Sequence, residues 1–128
     1  MSARTTIERV ATHADARGLV FEPLGAEALA DKRNVHVVLT APGAIRGNHR
    51  HRVGTEIAVV AGPAEVRLRE DGELRELLVP AGETWRFTIP PGVAHAYRNP
   101  GPGLMLLIGF NTEPHDPAAP DALREELY

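Results

Sequence analysis

The chain of 128 residues is 43% hydrophobic and 24% charged, the composition of a soluble globular protein rather than of a disordered or fibrous one. A formal net charge of -3 offers no bulk attraction for nucleic acid or for an anionic membrane, so any anion site has to be local. The lack of cysteine excludes disulfides, thiolate zinc sites and cysteine nucleophiles.

Residues 1–18 contain no apolar core of the signal-peptide kind, and residues 1–16 are weakly patterned apart from a short strand over Ile7 to Val10. Gly18 to Leu24 reads as a strand stopped by Pro23, and Gly25 to Lys32 as a helical turn too short to stand alone. Asn34 to Ala41 is a β-branched strand ended by Pro42-Gly43. His49 to Arg52 is extended, and Thr55 to Ala61 is a buried strand ending at Gly62-Pro63. Ala64 to Glu70 alternates apolar and charged residues, Asp71-Gly72 is a hairpin signal, and Glu73 to Val79 returns. After the Pro80-Ala81-Gly82 turn, Glu83 to Ile89 puts Trp85, Phe87 and Ile89 on one core-facing side. Pro90-Pro91-Gly92 turns the chain into a short strand, Ala94 to Arg98, and Leu104 to Phe110 is the last core strand. That last segment holds the longest apolar run, far too short to cross a bilayer. A Pro-rich tail from Glu113 to Pro120 leads to Asp121, read as the cap of a final helical turn over residues 122–128. Many short strands divided by Gly and Pro turns, with little helix, predict an antiparallel all-β sandwich or barrel in one domain spanning residues 1–128. The expectation for location is the cytoplasm.

Two stretches carry candidate chemistry. Side chains two apart on a strand share a face, so His49 and His51 project together. Glu56 follows after a turn near Gly54 and shares its own strand face with Ala58 and Val60. A carboxylate aligned with small apolar residues needs a partner, because an unpaired buried charge is costly. His95 arrives on a separate hairpin, with Tyr97 and Asn99 on its face. Three imidazoles and a carboxylate suit one divalent transition metal such as zinc, manganese, iron or nickel. An isolated H-x-H, by contrast, is equally at home on a surface or in a satisfied core.

The stretches around these residues resemble the paired motifs of the cupin superfamily, G-x5-H-x-H-x(3,4)-E-x6-G and G-x5-P-x-G-x2-H-x3-N. The first runs from Gly43 through His49, His51 and Glu56 to Gly62, its last gap one residue short; the second runs from Gly82 through Pro90, Gly92 and His95 to Asn99, its first gap two residues long. The resemblance covers about residues 34–110. It implies a double-stranded β-helix, a small jelly-roll-like barrel, with one metal held by His49, His51, Glu56 and His95. Arg46-Gly47-Asn48-His49 is similar to the R-G-x-H element of sugar-nucleotide cupins, which include 3,5-epimerases and 3,4-ketoisomerases. Asp15-Ala16-Arg17-Gly18 is similar to a D-x-R-G segment near the start of those enzymes. The tail from Phe110 to Asp121 is similar to the end of the cupin domain in bifunctional capsular sugar reductase/epimerases, which keep the metal.

These likenesses imply a small-molecule substrate of the sugar-nucleotide class, with Arg46 and Arg17 near its phosphates, and a homodimer. An arginine fork suits phosphate on physical grounds, although an exposed arginine is more often a solvated charge. The implied reaction is epimerisation or isomerisation beside a metal-polarised carbonyl. Once three histidines are assigned to metal, His36 and Tyr97 are the acid–base candidates, Tyr97 being equally readable as a barrel-mouth aromatic and His36, which faces either the lumen or the outside, more readily as a residue with no part in the chemistry. His13 and His115, in loop or tail, stand outside the constellation. The rival readings are an iron(II) dioxygenase using the same ligands and a non-catalytic cupin that binds a metabolite through the metal.

Overall fold

The computed structural model describes residues 4–128. The N-terminal segment forms β1 (Thr6–Val10) and a hairpin of β2 (Thr12–Asp15) and β3 (Gly18–Phe21), followed by a single helical turn, α1 (Ala26–Leu29). The main strands are β4 (Asn34–Thr40), β5 (Ile45–His51), β6 (Glu56–Ala61), β7 (Ala64–Glu70), β8 (Glu73–Val79), β9 (Thr84–Ile89), β10 (Ala94–Arg98) and β11 (Met105–Asn111). The tail adds β12 (Ala122–Arg124). Among the described residues no helix is long and apolar enough to cross a membrane.

Two five-stranded antiparallel sheets face each other, in the orders β1-β9-β6-β11-β4 and β12-β5-β10-β7-β8. This is the all-β, cupin-type barrel that the strand pattern and motifs led one to expect. Its lumen is filled by Ala58 and Val60 from β6, Val66 and Leu68 from β7, Phe87 and Ile89 from β9, and Met105 and Leu107 from the β11 side. Burial of each large side chain contributes roughly 1.5–3 kcal/mol. The outer face of β6 is covered too: Ile57 and Val59 pack with Val10, Phe110, Phe21 and Leu24. That double cover explains why β6 reads as a continuous apolar run rather than an alternation.

Three local expectations are corrected. Residues 12–15 pair with β3 as a regular hairpin, although their sequence showed no alternation. The strand expected from His49 begins four residues earlier, at Ile45. Residues 122–128 are not helical: Ala122, Leu123 and Arg124 pair with His51, Arg50 and His49, which supply β5 with a neighbour on its open side.

The motif residues outside the histidine set are mostly structural. Asn99 donates from Nδ2 to the carbonyls of Thr40 (2.8 Å) and Gly103 (2.7 Å), and its Oδ1 accepts the Gly101 N–H, so it clamps the loop before β11. Gly62 lies against the next turn so closely that a Cβ there would stand 2.0 Å from the Pro80 carbonyl oxygen.

Candidate metal centre

Each part of the centre is delivered by a different local device. His49 and His51 alternate with Arg50 on β5, and His49 is the direct cross-strand partner of His95 on β10. The Pro90–Gly92 turn is pinned to the end of β5 by the Gly92 N–H, which donates to the His51 carbonyl at 2.8 Å, so the second motif is anchored on the first. Glu56 opens β6 in the opposite sheet, between Asn111 and Ile89. One nitrogen or oxygen from each of His49, His51, Glu56 and His95 lies within 4.8 Å of all the others. His95 is fully enclosed and Glu56 is 4% exposed, while His49 and His51 are half-buried toward an opening.

The donor set fits a cation. His95 Nδ1 lies 3.1 Å from the Val93 carbonyl, an acceptor that keeps the proton on Nδ1. Nε2 then presents a lone pair to Glu56 Oε2, 2.8 Å away. His51 Nε2 stands 3.5 Å from the same oxygen. Despite these short approaches, His51 Nε2, Glu56 Oε2 and His95 Nε2 are all buried without an aligned hydrogen bond. Buried lone pairs that converge on one another are costly, and a shared divalent ion would satisfy all of them. Donors on one ion at bond lengths of ~2.1 Å stand about 3–4.2 Å apart, close to the spread found here.

The electrostatics agree. Burial first, then the neighbouring His95 imidazole, holds His49 down at about 4, so its imidazole is neutral and free to ligate at neutral pH. Burial raises Glu56, but the His51 and His95 imidazoles lower it more, leaving its carboxyl well below the usual range. Burial lowers His51, and the neighbouring Glu56 carboxylate more than offsets this and raises it.

Above the cluster opens a cavity of about 420 Å³, walled by Asn34 and His36 from β4, His49 and His51 from β5, Glu56, Asn111 and the tail from Glu113 to Ala122. His36 belongs to the centre: its Nε2 is 3.6 Å from Glu56 Oε1, and its Nδ1 is 3.3 Å from Asn34 Oδ1. Tyr97 does not reach the cavity wall. It is 3% exposed within the barrel core, its hydroxyl has no partner, and burial, followed by the Glu56 charge, pushes it well above its ordinary value. The two arginines are not brought in. Arg17 sits in the turn between β2 and β3, paired with Asp15 at 2.6 Å. Arg46 is exposed near the other end of β5 from His51, its Nε 3.4 Å from Thr40 Oγ1. The cavity wall instead carries Glu113, His115, Asp116 and Asp121. His115, expected to stand apart, is thus part of it. The density of acids and histidine in residues 113–121 was visible in the sequence, but its fold-back over β5 is a tertiary event with no local signal.

Comparison with known proteins agrees with this architecture. A family model described as the polysaccharide biosynthesis C-terminal domain matches residues 13–123. No protein of curated function matches the chain. Among solved structures, the capsular polysaccharide assembling protein CapF from Staphylococcus aureus is 29% identical, with a TM-score of 0.68 over 92% of this chain and 33% of that one. The chain therefore spans about a third of the length of CapF. The fold is shared with a dTDP sugar isomerase from Desulfovibrio desulfuricans (16% identity, TM-score 0.79, 95% of this chain and 83% of that one). It is shared too with the sugar 3,4-ketoisomerase QdtA from Thermoanaerobacterium thermosaccharolyticum (19%, 0.71, 94% and 88%). On the match that covers most of its length, this cupin chain belongs to the polysaccharide biosynthesis C-terminal domain family.

Proposed function

We propose that the chain is a metal-dependent keto-sugar epimerase or isomerase whose substrate is a sugar nucleotide. The observation that carries the reading is a converging His49, His51, Glu56 and His95 set at the floor of a sugar-sized cavity. The names of its structural relatives support the substrate class: one is a dTDP sugar isomerase, and another is a 3,4-ketoisomerase held with TDP. Zinc, manganese, iron or nickel all suit the donor set, and such an ion supplies Lewis-acid polarisation of a carbonyl oxygen.

The chain's own residues then have separate tasks. His36, half-exposed on the wall and steadied by Asn34, removes the proton next to the carbonyl. His115, on the tail wall, is the second imidazole outside the cluster and returns a proton. Tyr97 is the weaker candidate, because its hydroxyl is sealed among core side chains. The acidic wall receives the hydroxyl-bearing sugar ring, and the phosphates stay outside it. The anion-binding roles first expected of Arg17 and Arg46 form no part of this reading. A homodimer goes with it, supported by the uncovered row Val35, Val37 and Leu39 on edge strand β4, and sedimentation tests that.

The direct test is solvent deuterium entering the carbon beside the carbonyl of a keto-sugar nucleotide, with oxygen uptake followed in parallel. Exchange without oxygen uptake, reduced by about 10²-fold or more in His36→Gln, is the expected result. Oxygen consumption by the iron-loaded protein would replace the reading with the dioxygenase, and neither signal across a broad panel would leave a binding protein.

A further inference from the structure

Asp121 touches two parts of the centre at once. Its Oδ1 accepts the Val53 N–H at 3.0 Å and its Oδ2 the Gly54 N–H at 2.8 Å. The same Oδ2 lies 3.6 Å from His51 Nδ1. The turn is shaped to receive it: Gly54 is buried, and a Cβ there would stand 2.9 Å from Asp121 Oδ2 and 3.1 Å from Glu113 Cγ. The backbone of Asp121 is itself held, because its carbonyl accepts the Arg52 N–H at 3.0 Å and the next residue, Ala122, pairs with His51. On its other side the His51 ring offers Nε2, buried and without a partner, to the cluster.

We propose that Asp121 is the positioning residue of the candidate metal centre: it orients the His51 ring from the Nδ1 side and closes the Val53–Gly54 turn that delivers Glu56. A carboxylate facing Nδ1 keeps the imidazole proton there, so that Nε2 carries the lone pair a ligand needs. At 3.6 Å the contact is an ion-pair distance, and a ring movement of roughly half an ångström makes it a hydrogen bond. Because Asp121 sits in the tail, the segment that walls the cavity is fastened to the residues that form its floor. The inference rests on the metal reading above for its purpose, but not for its geometry.

The experiment compares Asp121→Asn with Thr112→Ala. Thr112 Oγ1 accepts the Thr55 N–H at 3.0 Å, so its removal loosens the same turn without touching His51. Zinc affinity is measured by competition with a chromogenic chelator, and the His51 tautomer by imidazole nitrogen NMR on metal-free protein. Asp121→Asn is expected to weaken zinc by about 10–100-fold and to move the His51 proton away from Nδ1, with Thr112→Ala within about threefold of wild type. An Asp121→Asn protein with unchanged tautomer and near wild-type affinity overturns the proposal, as does an equal loss in Thr112→Ala. Should wild type take up no zinc, manganese, iron or nickel, the metal reading falls, while the tautomer comparison still decides what Asp121 does.

Discussion

At the scale of single residues, the site depends on an atom that is missing. Gly109 pairs directly with His36 across β11 and β4. A Cβ at Gly109 would lie 2.3 Å from His36 Cε1, 2.5 Å from its Nε2 and 3.1 Å from Glu56 Oε1. The His36 ring therefore lies over the glycine, and this is what lets it lean toward Glu56. With 41% of its side chain exposed, the ring has somewhere to go when it is displaced. Gly109→Ala is thus expected to change stability by less than about 1 kcal/mol, while reducing proton exchange as severely as loss of His36 itself, by about 10²-fold. Denaturant unfolding and deuterium incorporation, measured on the same protein, separate the two effects. A variant with full exchange would mean that the leaning position of His36 is unimportant.

Among elements, β5 shows where a strand's chemistry comes from its neighbours. His49 pairs with His95, but the next matched pair is Gly47 with Ala96, so Asn48 is an extra residue in the ladder. Simple alternation puts Arg46 and His49 on opposite faces; the bulge turns both to the same one. Asn48 adopts φ 57, and its Oδ1 accepts the N–H groups of Leu127 (2.8 Å) and Tyr128 (3.2 Å). Asn48→Gly should lose only those two bonds, about 1–3 kcal/mol, and Asn48→Ala about 1 kcal/mol more for the left-handed backbone. Equal losses in urea unfolding would show that the backbone conformation carries no cost. The same element marks the limit of reading the sequence. The Asp71-Gly72 hairpin was legible because its turn chemistry is local, with both residues at positive φ. The four-residue histidine and glutamate grouping was legible because strand alternation and two motifs specify it. Ile45 to Asn48, with a glycine, a charge and no alternation, becomes a strand because β10 lies beside it. Asp121 was read as a helix cap by residue type, yet it caps a turn 67 residues away in sequence, and pairing with β5 overrides the helical leaning of the last residues.

For the molecule as a whole, the centre is a junction between the two sheets. His49, His51 and His95 belong to β5 and β10 in one sheet, and Glu56 belongs to β6 in the other. An ion bound by all four would close the barrel at its open end, and binding to the folded state alone adds RT ln(1 + [M]/Kd) to stability. At a free concentration about 100 times Kd this is ~2.7 kcal/mol, equivalent to a rise in Tm of roughly 10 °C for a chain of this size. Glu56→Gln keeps the shape of the side chain but removes the charge and the connection to the second sheet. The wild-type protein should therefore melt about 10 °C higher with metal than after chelation, and Glu56→Gln should show almost none of that difference. An equal rise in Glu56→Gln would place the stabilising ion elsewhere on the molecule. A rise in neither would mean that the unpartnered atoms of His51, Glu56 and His95 are satisfied by protons and water, and the barrel would then stand without a cross-link between its sheets.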